Sequence, residues 1–144
     1  MPIITPDDLS SNIYADVLAE ITRGNNDIVA NAITAAEQEA KMYLTRYNFD
    51  ALFGSDTTQP TVTDAYLKSL LRDIACWHIL RLATASVDYA AFRSAYEDAI
   101  TMLKAIRDGD AQPEGWPYAD TVNETAPDGD TVSWSSNPRR NNYY

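Results

Sequence analysis

The sole histidine, His78, stands two residues after the sole cysteine, Cys76, and a thiol with an imidazole is the pair here that could carry nucleophilic catalysis. Both fall in one helical run, Cys76-Trp77-His78, where neighbouring positions point about 100° apart and positions two apart do not face each other. They cannot form a dyad within that helix, and they read as a buried thiol and a structural histidine of the core helix. A single histidine also leaves no multi-histidine metal site. With five glycines the chain has no glycine-rich phosphate loop, dinucleotide fingerprint or nucleophile elbow. The carboxylate pairs Asp7-Asp8 and Glu97-Asp98 fit a helix start and a solvated helix face. Asp128-Gly129-Asp130 lacks the alternating ligands and terminal glutamate of a calcium loop and reads as a turn. No catalytic, cofactor-binding or metal-binding residue is assigned, and the chain is expected not to be an enzyme.

The elements around these residues are helical. Thr5-Pro6-Asp7-Asp8 starts a first short helix through about Ile13, and Tyr14 to Arg23 forms a second that stops at Gly24. From Asp27 a 3.6-residue stripe of Ile28, Val29, Ala32, Ile33, Ala36, Ala40, Tyr43, Leu44 and Tyr47 predicts a long amphipathic helix. A loop over Gly54 to Pro60 precedes a helix from Asp64 to about Ser86, apolar on more than one side and therefore central. A last helix runs from Asp88 to Asp108 and ends at Gly109. The expected fold is all-α, a small bundle of about four to five helices over residues 1–109. Residues 110–144 then form an acidic, aromatic and mostly irregular arm in which no core can form, with a short strand at Thr131-Val132-Ser133-Trp134.

A formal charge of −10 disfavours nucleic-acid binding, which rests on cationic side chains. No apolar run approaches the roughly 20 residues a membrane span needs, and no secretory signal opens the chain, so the cytoplasm is the expected compartment. Nine tyrosines and three tryptophans are unevenly placed. Those in the helices border the core. Trp116, Tyr118, Trp134, Tyr143 and Tyr144 lie beyond it and are read, with Arg139 and Arg140, as partner-binding residues of the arm. Arg46, between Tyr43 and Tyr47, is read as a structural anchor whose guanidinium meets carboxylates or helix-end carbonyls. These features suit a structural assembly subunit; the alternative is a generic helical interaction module with an aromatic docking arm.

Three stretches in order carry a resemblance. They are Ile4-Thr5-Pro6-Asp7-Asp8-Leu9; Ala35 to Tyr47 with its Tyr43-Leu44-Thr45-Arg46-Tyr47 end; and Leu71-Arg72-Asp73-Ile74-Ala75-Cys76-Trp77-His78-Ile79-Leu80, followed by a helix ending in Ile106-Arg107-Asp108-Gly109-Asp110. In these the chain resembles the small helical head-tail connector proteins of tailed bacteriophages and prophages, especially the Mu-like connector family. Ser135-Ser136-Asn137-Pro138-Arg139-Arg140 is similar to the short C-terminal motif of such proteins. The resemblance implies a virion protein of the neck that completes the head. It would form a homo-oligomeric ring, a dodecamer, under the portal protein and bridge it to a tail-side or stopper protein. DNA would pass through the lumen without specific binding, and no membrane or cofactor would be involved.

Overall fold

The computed structural model describes residues 3–82 and 88–119. Its first element is a 3-10 helix, Pro6–Ser11, entered through Thr5, whose N–H and Oγ1 both donate to Asp8 Oδ2 at 2.7 and 2.9 Å. Helix α1 (Ala15–Thr22) follows and closes on Arg23 and Gly24, both at positive φ. Helix α2 (Asn26–Tyr43) begins at Asn25, whose side chain accepts from Asp27 N–H at 3.0 Å. Its buried residues are Val29, Ala32, Ile33, Ala36 and Ala40, the expected stripe.

The helix stops four residues short of the expected end. Leu44 leaves helical geometry yet stays fully buried, and Tyr47 lies in an extended segment. A further short helix, α3 (Phe49–Phe53), was not expected from the sequence; Asn48 caps it by accepting from Ala51 N–H at 3.1 Å. Gly54 turns the chain at φ 72°, where an added Cβ would lie 2.5 Å from Thr58 O. Glycine is required at that position.

Helix α4 (Ala65–Leu80) is the central one, burying Leu67, Leu70, Leu71, Ile74, Ala75, Cys76, Ile79 and Leu80 and touching α1, α2, α5 and the 3-10 helix. It ends short of the expected Ser86: Arg81 caps it and Arg81 and Leu82 lie in a turn, while residues 83–87 are outside the described residues. Helix α5 (Tyr89–Asp108) is capped by Asp88 and ends at Gly109, φ 87°. Side-chain pairs fix the directions. Glu39 meets Tyr96 and Tyr43 meets Arg107, so α2 and α5 run parallel. His78, near the end of α4, lies against Tyr96 in the first half of α5, while Asp64, at the start of α4, meets Trp116 beyond the end of α5. Helix α4 is therefore antiparallel to both. The all-helical reading stands: among the described residues there is no strand, only one isolated β-bridge.

Candidate functional site

Past Gly109 the chain turns back over the bundle instead of leaving it. Asp110 and Ala111 N–H both bond Ala105 O, which closes the end of α5. Residues 116–119 then lie antiparallel to residues 46–48. Tyr118 bridges Tyr47, Asn48 N–H donates to Pro117 O at 2.9 Å, and Ala119 N–H donates to Arg46 O at 2.9 Å. The strap is fastened by Trp116, whose ring is only 5% exposed and whose Nε1–H donates to Asp64 Oδ2 at 2.5 Å. The other oxygen, Oδ1, accepts from Tyr66 and Leu67 N–H and so caps α4. One carboxylate thus joins the C-terminal strap to the start of the central helix. Burial alone would push Asp64 up, but the Trp116 indole and the two backbone donors outweigh it and hold the carboxyl below its ordinary value.

Tyr47 is the platform between the two arm aromatics. Trp116 meets it edge-on at 5.4 Å, and Tyr118 stacks on it at 5.3 Å. Burial, then the neighbouring Tyr118, raises the Tyr47 hydroxyl above its ordinary value. Arg46 points its Nη1 to Arg107 O, a carbonyl at the end of α5, at 3.2 Å. The statement that no core forms beyond Gly109 is therefore corrected: Trp116 belongs to the core of this chain. Tyr118 is 62% exposed. The β-pairing that is described falls at Tyr118. The strand expected at Thr131 to Trp134 lies outside the described residues, as do Trp134, Arg139, Arg140, Tyr143 and Tyr144.

Along the bundle from the strap, Glu39 of α2 gathers two partners from the other long helices. Tyr96 O–H donates to Oε1 at 2.6 Å, and His78 Nε2 lies 2.9 Å from Oε2. Burial, then the hydrogen bond to Glu39, pushes the Tyr96 hydroxyl up to about 12. Trp77 stacks on Tyr96 at 5.8 Å. Cys76 is 0% exposed and burial, with Asp73 adding to it, pushes its thiol up to about 12, so it holds little thiolate. His78, read as a structural histidine of the core helix, keeps 23% of its side-chain surface exposed and sits at the rim. Nothing local marks Glu39 as its partner, because a lone glutamate on a polar helix face carries no signal. No group of three or more His, Cys, Asp or Glu among the described residues could hold a metal ion.

A family model described as Bacteriophage Mu, Gp36 matches residues 4–133. The chain belongs to this Gp36 family. The Gp36 match spans every described helix and the strap with Trp116 and Tyr118, and it stops before Trp134 and the basic, aromatic end. The chain is thus a bacteriophage protein, and no helix among its described residues is long and apolar enough to cross a membrane. Neither the curated proteins nor the solved structures contain a match.

Proposed function

We propose that this chain is a structural assembly protein of the virion: a head-tail connector subunit that forms a ring under the portal protein, meets a tail-side or stopper protein below, and leaves a lumen for DNA. The observation that carries this reading is membership of the bacteriophage Mu Gp36 family over nearly the whole chain. The physical features support it. The charge of −10 suits a channel wall along which DNA must slide without sticking. The exposed Tyr118, at the point where the strap leads into the remaining chain, suits docking between proteins. The chemistry-bearing side chains are held in structural roles, Cys76 in the core and His78 on Glu39, which supports a non-enzymatic part. The test is to delete the gene from its phage or prophage. Packaged heads without tails should accumulate, and adding the protein back should place a ring of it beneath the portal in particle images. Tailed, infectious particles from the deletion would overturn the reading.

A further inference from the structure

At the far end of the bundle from the strap, the N-terminal part of α2 and the C-terminal end of α4 leave a groove of about 310 Å³ lined by Ile28, Asn31, Ala32, His78 and Leu82. Leu82 is 57% exposed, so apolar wall stands open to water. The polar groups in that wall are the Asn31 amide and the His78 ring. Nε2 of that ring is taken by Glu39, while Nδ1 has no hydrogen-bond partner among the described residues. A groove this size is at the small end of ligand cavities and takes one aromatic side chain. A phenol fits its chemistry: the ring lies on Ile28, Ala32 and Leu82, and the hydroxyl, both donor and acceptor, meets Asn31 or Nδ1.

We propose that this groove receives the Tyr143-Tyr144 stretch of a second copy of the chain. Charge selects the segment, and length allows it to reach. Residues 1–119 hold seventeen acids against nine bases, whereas residues 139–144 hold Arg139, Arg140 and no acid. Beyond the described residues this is the stretch that joins cations to aromatics with no acid, which an acidic domain attracts, and Asp27 is exposed next to Ile28 to meet it. The twenty-five residues from 120 to 144 can span up to about 80 Å extended, well beyond the ~22 Å from Ile28 to Tyr43 along α2. The described chain ends beside Arg46 and the groove lies at the opposite end of α2, so the contact is head-to-tail, the kind that closes into a ring. This choice of a second copy rests on the connector reading.

The test uses the full-length chain carrying a photo-crosslinking side chain, Tyr144→p-benzoylphenylalanine, mixed with an isotopically heavy copy and irradiated. Light-heavy cross-links mapping to Ile28–Ala32 and His78–Leu82 are expected. They should fall roughly tenfold in the exposed-site variant Leu82→Asp, whose circular dichroism should match the parent. Cross-links confined to one copy, cross-links mapping elsewhere, or none at all would overturn the proposal. Cross-links at the groove in a protein that never appears beneath a portal would uphold it and remove the connector reading instead.

Discussion

Asp64 does two jobs with one carboxylate, and its substitution should separate them. Asp64→Ala removes the cap of α4, which costs about 1 kcal/mol, and also leaves the buried indole N–H of Trp116 without an acceptor, a further cost of about 1–3 kcal/mol. Trp116→Ala should cost about 3–5 kcal/mol through lost burial; urea unfolding of both variants measures this. Because Asp64 is held below its ordinary value, its contribution is complete above that value and is lost as pH falls through the lowered one, where the folded protein takes up the proton. Glu37 and Asp73 are raised by burial, so their contribution has the opposite sign and fades as pH rises. The comparison must therefore be parent against Asp64→Asn, and the acid-side loss should shrink in the variant. For Cys76, native protein should react with a thiol reagent on the order of a hundredfold slower than unfolded protein. The burial of Cys76 was legible because its helical neighbours are apolar on several sides. That of Trp116 was not, because its partner Asp64 is 52 residues away and no local pattern connects the two.

The three long helices were legible because each repeats its apolar positions at helical spacing; Asp64 and Asp88, where the last two were expected to begin, cap them, whereas Asn25, the cap of α2, was not read as one. The end of α2 was not. Leu44 and Tyr47 continue the stripe in sequence and are buried in fact, but they reach the core from a turn and an extended segment, so the pattern reported burial correctly and conformation wrongly. Helix α3, at five residues, is too short for periodicity to declare itself, and its boundaries come from Asn48 and Gly54. What the pattern could not show at all was which polar residues of different helices meet. The Glu39 junction ties α2 to α4 and α5, and a double-mutant cycle of Glu39→Gln with Tyr96→Phe should give a coupling of about 1.5–3 kcal/mol, the range for hydrogen bonds to charged groups. A coupling near zero would mean that water replaces either partner without loss.

The strap changes where the molecule can be divided. Composition shifts at Gly109 and suggested that a helical domain ends there, but packing continues to Ala119: Trp116 fills part of the core, and residues 117–119 pair with residues 46–48. A chain ending at Gly109 removes the indole from Asp64 and both aromatic neighbours from Tyr47, exposing apolar surface that the helices alone do not cover. A chain ending at Ala119 keeps all of these contacts. The first truncation should lose at least the about 3–5 kcal/mol expected of Trp116→Ala and unfold at a clearly lower temperature. The second should match the full-length protein in circular dichroism, melting temperature and urea cooperativity, because every packing contact described above lies within residues 3–119. The functional comparison then follows on a folded protein. If the residues after Ala119 are the part that engages neighbours in the assembly, the Ala119 truncation should remain folded yet fail to co-sediment with portal-containing particles, while Tyr118→Ala in the full-length chain should weaken that binding with little change in melting temperature. An Ala119 truncation that sediments with particles as fully as the parent would place the binding surface on the helices and strap of residues 3–119 instead.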